Sequence, residues 1–155
     1  MTESTDPDAL VTGMNAMLEK LIPRAWQMGV RFTELAPGLA RASVPLEGNA
    51  NHFGVIYAGV TFTVAEVLGG ALHTASFDPS THYPLVKSLT IDFTAPGRGP
   101  LTAEATLPAD EVARIRAAAA PDAKVDFVLE ATVTGEDGTV VARTRGDYQI
   151  RPFGR

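Results

Sequence analysis

Residues Ile56 to Phe77 read IYAGVTFTVAEVLGGALHTASF, and Glu66 is the one formally charged residue among them. A run that is apolar on nearly every side of a helical turn has no polar face to give to water, so other structure must wrap it. The part from Ala58 to Phe77 also carries Gly69, Gly70, His73 and four hydroxyl residues. A bilayer span needs about 20 mostly apolar residues without a charge at mid-membrane, so the run reads as a buried helix of a soluble protein. At 1.5 Å per residue, 18 residues of it would extend about 27 Å.

The flanking segments supply the wrapping. Ala9 to Ile22 places Leu10, Met14, Met17, Leu18 and Leu21 on one helical stripe, with Asp6 or Asp8 as the cap and Pro23 just beyond. Met28, Val30 and Phe32 then alternate with Gly29, Arg31 and Thr33, and the turn APG leads into Leu39 to Leu46, which together predict a hairpin. Glu47 to Gly54 has loop composition. After the long helix the period is two: YPLVKSLTIDFTAP sets Leu85, Lys87, Leu89, Ile91 and Phe93 against Val86, Ser88, Thr90 and Asp92, and LTAEATL, KVDFVLEATVT and TVVARTRGDYQI follow. The Ala-rich insert PADEVARIRAAAAP predicts a short exposed helix between strands. The expected class is α+β: an antiparallel sheet of about six strands around one long central helix, preceded by an N-terminal helix. A single sheet leaves the helix partly uncovered, so a dimer is expected.

At 155 residues the chain is one domain, 1–155, able to bury roughly 70% of its unfolded surface. A net charge of −5 with scattered Arg gives no footprint for nucleic acid. The absence of Cys excludes disulfides, thiolate metal sites and a Cys nucleophile, and the three His show no ligand spacing, so no metal and no cofactor are expected. The acidic start MTESTDPDALVTG lacks the basic and apolar regions of a secretory signal, which makes the cytoplasm the expected compartment.

Glu66 needs a reason to be where it is, because a carboxylate buried without partners costs several kcal/mol or takes up a proton. It either pairs with Arg31, Lys87 or a buried hydroxyl, or it is kept for chemistry. Its helical neighbours include Phe62, Thr63, Gly69 and Gly70. Two glycines there each cost about 1 kcal/mol relative to Ala, which fits either close packing or a slot for a ligand. Upstream, the helix starts near Ala58 and Gly59, where free amides and the dipole favour a developing oxyanion. Glu66 follows roughly 10 Å further along the axis, too far to serve the same carbonyl, so a two-fold-related subunit would supply the missing half.

These residues resemble the hotdog-fold acyl-CoA thioesterases of the phenylacetic-acid-pathway type and their uncharacterised relatives. The family pattern is an Asn, a His-Gly-Gly six residues later, and an Asp or Glu seven residues after the second Gly. Here Asn51 is followed six residues later by Tyr57-Ala58-Gly59, and Glu66 lies seven beyond Gly59. The resemblance implies a long helix in an antiparallel sheet, a homodimer or dimer of dimers, and coenzyme A only as part of the substrate. It implies Glu66 as general base or nucleophile, the Ala58 amide as the donor polarising the thioester carbonyl, Gly59 as the residue keeping the helix start open, and Asn51 as a holder of water or thioester. Tyr57, His52, Gly54, Thr63, Gly70, Ser88 and Thr90 are the candidates for contact with substrate. Tyr57 and Ala58 depart from the His and first Gly of the pattern. Hydrolysis of a small to medium acyl-CoA or acyl-carrier-protein thioester is therefore the leading expectation, and an inactive acyl-binding protein on the same fold is the alternative. His73 is expected to be a satisfied core imidazole.

Overall fold

The computed structural model describes residues 6–154. The outer limits of the expected domain, residues 1–5 and 155, lie outside the described residues. Helix α1 (Pro7–Leu21) begins where Asp6 accepts from the Asp8 amide at 3.1 Å, with Pro7 in the first turn, where a missing N–H costs nothing. Only Met14 and Leu18 of its stripe are buried, and Met17 and Leu21 face solvent. Asn15 fixes α1 to the sheet: its Nδ2 donates to the Phe32 carbonyl at 2.9 Å, and its Oδ1 accepts from the Phe32 amide at 2.8 Å. These bonds occupy backbone groups of an edge strand.

The short helix α2 (Pro23–Gln27) was not expected from the sequence, where Pro23 reads as a stop; it is also a good first helical residue. Strands β1 (Arg31–Ala36) and β2 (Leu39–Val44) form the expected hairpin. The central run follows as α3 (Ala58–Glu66) and α4 (Leu68–Ser76), then β3 (His82–Phe93), β4 (Leu101–Thr106), α5 (Ala109–Ala118), β5 (Val125–Gly135) and β6 (Val140–Pro152). All six strands lie in one antiparallel sheet in the order β1-β2-β4-β5-β6-β3, which is not closed. Alternation along β5 buries Val125, Phe127, Leu129, Ala131 and Val133 against the helices and exposes Asp126, Val128 and Glu130. Val64, Leu68, Ala71 and Leu72 of the helices are fully covered from the other side.

Two features of these elements depart from a regular pattern. The long central helix is present as expected but carries an irregularity at Val67, whose backbone stays helical (φ −61°, ψ −18°) while its amide is shared between the carbonyls of Thr63 and Ala65. The bond from the Ala71 amide to the Val67 carbonyl is stretched to 3.4 Å. Gly69 and Gly70 weaken the ladder at this point, and paired small residues are a recognised origin of helix kinks. The second feature corrects an expectation and concerns β3. Its pairing with β6 shifts between Val86 and Ser88, so the inward residues change parity: Val86 lies opposite Tyr148, Leu89 opposite Gly146, and Leu85 opposite the outward Gln149. Leu85 and Leu89 therefore point to opposite faces, because the bulge inserts one residue into a period of two. Lys87, expected beside Leu89, instead reaches Asp126 on the outer face at 3.2 Å.

Candidate active site

Glu66 is the last residue of α3 and is half-buried. Its carboxylate has no hydrogen bond or ion pair among the described residues. Neither cation considered as a structural partner reaches it. The Arg31 guanidinium lies 3.2 Å from the centroid of the Trp26 ring and donates to the carbonyls of Trp26 and Val30, while Lys87 is on the far side of the sheet. Loss of hydration alone pushes the Glu66 carboxyl above its ordinary range.

The start of α3 has the expected exposed amides. Val60 and Thr61 both donate to the Tyr57 carbonyl, at 2.9 and 3.2 Å, which leaves the N–H groups of Ala58 and Gly59 without an intrahelical acceptor. Ala58 is exposed. Gly59 has a different neighbour from the one expected: a Cβ placed there would be 2.5 Å from Cε1 of Tyr57. The exposed Tyr57 ring thus lies over the helix start, in space that Gly59 leaves.

Asn51 comes to the same place. It lines a cleft of about 260 Å³ with Ala58, Thr61 and Phe93, and a second of about 410 Å³ with His52, Tyr57 and Val60. Its Oδ1 shapes the loop, accepting from the amides of Phe53 at 2.9 Å and Val55 at 3.4 Å, and its Nδ2 has no acceptor among the described residues. Gly54 permits the loop to close through a backbone with φ +74° and is exposed. His52 is exposed and packs on Phe53, with ring centroids 3.9 Å apart. Asn51, His52, Tyr57, Ala58 and Gly59 therefore form one group at the helix start. Glu66, two turns on, lines neither cleft.

The other candidates are dispersed. The Thr63 hydroxyl donates to the Gly59 carbonyl at 2.8 Å. Gly70 has open space where a side chain would project. Ser88 donates to Asp147 Oδ2 at 2.8 Å, and Ser88 and Thr90 project from the outer face of the sheet, because Leu89 and Ile91 between and beyond them pack into the core. Within one chain they are on the opposite side of the sheet from Glu66.

His73 is 1% exposed, and its Nε2 has no partner among the described residues, so the imidazole is in the core but is not the satisfied one expected. Burial first, then the neighbouring His82, lowers its pKa to about 4. Two residues escaped the sequence reading. Asn49 is buried and donates to the carbonyls of Met28 at 2.6 Å and Pro45 at 2.8 Å, anchoring the loop that carries Asn51. Tyr148 packs directly on Gly69; the mid-strand Gly146 two residues before it was the available signal, since glycine inside a strand marks a close approach. Among the described residues no group of three or more His, Asp or Glu converges as metal ligands would.

A six-stranded antiparallel sheet around an apolar helix is the hotdog architecture of the acyl-CoA thioesterase superfamily and its uncharacterised relatives. The chain belongs to the family described as "Domain of unknown function (DUF4442)", whose model matches residues 12–150. It is similar to the solved structure of PA5026 from Pseudomonas aeruginosa, described as a protein of unknown function and "Probable Thioesterase": 39% identity, TM-score 0.83, covering 91% of this chain and 95% of that one. More distant structures share the fold. Thioesterase HI1161 from Haemophilus influenzae is 15% identical with a TM-score of 0.74, covering 94% of this chain and 92% of its own. A variant of thioesterase PA1618 from Pseudomonas aeruginosa is 20% identical with a TM-score of 0.73, covering 98% of both chains. No curated protein matches the sequence. No helix among the described residues is long and apolar enough to cross a membrane.

Proposed function

We propose that this protein hydrolyses a small to medium acyl thioester of coenzyme A or of an acyl carrier protein, at sites shared between two copies of the chain in the cytoplasm. The observation that carries the reading is Glu66, a half-buried carboxylate that makes no hydrogen bond or ion pair among the described residues. A structural acid is normally partnered. In the proposed reaction Glu66 takes a proton from water as the oxygen bonds to the thioester carbon, and the Ala58 amide donates to the developing oxyanion. The C–S bond then breaks, and the thiolate leaves with the proton that Glu66 held. Nucleophilic attack by Glu66 itself is the other route to the same products. Because Glu66 and the helix start are two turns apart, the acid of one copy would work with Asn51, Tyr57, Ala58 and Gly59 of a second, in a dimer or a dimer of dimers. Thr63, Gly70, His52 and Gly54 are proposed to line the substrate, with Ser88 and Thr90 contributing only across a subunit contact.

A second reading, a protein that binds acyl groups without cleaving them, is favoured by two observations. The Tyr57 ring covers the helix start where the family pattern has a His, and Asn51 Oδ1 is engaged in its own loop. Release of free thiol from a panel of acyl-CoA and acyl-carrier-protein thioesters separates the two readings. Release above background with at least one substrate supports hydrolysis, and binding without release on the whole panel supports the second reading. Light scattering at micromolar concentration tests the shared site, which a stable monomer would remove.

A further inference from the structure

Tyr148 stands on β6 with its ring turned toward the central helix and is 3% exposed. Two glycines grip that ring near its hydroxyl end. A Cβ at Gly69 would lie 2.2 Å from Cε1, and one at Gly146 would lie 2.5 Å from Cε2. A third contact closes the clamp, since Tyr148 stacks on Phe127 with centroids 5.6 Å apart and planes 24° apart. Rotation about the ring axis leaves the hydroxyl oxygen in place, and the gripped edges limit its other movements. Glycine is unfavourable both in mid-helix and in mid-strand, and here each position makes room for one aromatic edge.

Gly69 follows Glu66 by three residues, the spacing of neighbours on one helical face. Neither polar group has a hydrogen-bond partner among the described residues. The surroundings offer few competitors. The side chains that β2, β4 and β5 turn inward are apolar, β3 contributes Leu89 and Ile91 with His82 at its start, α4 contributes His73, and β6 contributes Thr144 and Tyr148. We infer that Tyr148 is a positioning residue for Glu66: its clamped hydroxyl donates to the carboxylate through one bridging water, which holds it aimed and favours its charged form. The catalytic part of this rests on the thioesterase reading, whereas the coupling between the two side chains does not. The phenol keeps its proton at neutral pH, because burial first and the Glu66 charge second push its pKa up to about 12.

The test removes one oxygen. Tyr148→Phe keeps the ring between the two glycines and removes the donor. Loss of a hydrogen bond to a charged group should raise the acidic limb of the kcat/KM profile by about one pH unit, with KM nearly unchanged. The Glu66 carboxyl, followed by 13C resonance without substrate, should titrate higher by a similar amount. A purely structural role for Tyr148 would move neither. If the unaltered protein cleaves no thioester, the thioesterase reading fails and the carboxyl titration alone decides the coupling. A shift then supports it, and an unchanged Glu66 titration overturns it. The reciprocal arm covers a Tyr148→Phe chain that does not fold: in Glu66→Gln the Tyr148 13Cζ resonance should move at neutral pH. If that resonance stays in place, the inference is overturned.

Discussion

Gly69→Ala and Gly70→Ala are the same chemical change at adjacent positions, and the structure predicts opposite signs. At Gly70 an added methyl meets nothing within 4 Å. The substitution should recover the helix-propensity difference between Gly and Ala, about 1 kcal/mol. At Gly69 the methyl would approach Tyr148 Cε1 to 2.2 Å, and the ring has no room to retreat because its other edge is pressed on Gly146 and Leu89 behind it. Overpacking a core typically costs about 1–3 kcal/mol. With the ring clamped on both edges the upper end applies, and after about 1 kcal/mol of propensity gain the net loss is about 2 kcal/mol. For a chain of this length a kilocalorie corresponds to roughly 2–4 °C. Thermal unfolding of the two variants beside the unaltered protein should therefore show Gly70→Ala a few degrees above it and Gly69→Ala about 4–8 °C below. Equal shifts in the same direction would refute the clamp and with it the reason given for a glycine at position 69.

The charge of Glu66 and the burial of His73 make two further predictions. Glu66 titrates above its ordinary value of 4.5 in the fold, so the folded state binds the proton more tightly than the unfolded chain. Stability contributed by this group falls as pH rises from 4.5 through the raised value. Glu66→Gln should consequently unfold at a higher temperature than the unaltered protein at pH 7, a gain that should shrink toward pH 4; a variant less stable at pH 7 would show that the fold stabilises the Glu66 charge more than water does. His73 has the opposite sense. Its pKa falls from 6.5 to about 4, so the unfolded chain binds the extra proton between those values, and stability is lost as pH falls through that window. The full effect is about 3 kcal/mol. Urea midpoints of the unaltered protein and His73→Phe should converge or cross as pH falls from 7 to 4, whereas parallel curves would place the acid sensitivity elsewhere.

Much of the fold was legible because its signals are local and regular. The period of two from Leu101 onward, the stripe in α1 and the Asp6 cap all correspond to real elements. The apolar run with a single acid correctly required a wrapping sheet. What failed was information held in pairs of elements. Nothing near Val86 announces that β3 slips one residue against β6, yet that slip decides which side of the sheet Leu85, Lys87 and Ser88 occupy. The irregularity at Val67 was hidden because Gly69 and Gly70 are compatible with either a regular or a distorted helix. In the site, the start of α3 and the position of Asn51 follow from loop and helix chemistry and could be read. For Tyr148 the one local signal was Gly146, two residues before it; its other partners, Gly69 and Phe127, lie 79 and 21 residues away and could not be read from the neighbouring sequence.

The central claim is that Glu66 performs chemistry and is not a tolerated buried acid. Free-thiol release from the best thioester of the panel, measured at pH 7 for the unaltered protein and for Glu66→Gln, tests it most directly. Removal of a general base typically lowers the rate by a factor of about 10²–10⁴, so the variant should fall at least a hundredfold while remaining folded and as stable as its parent or more so. Equal thiol release by the two proteins would contradict the account.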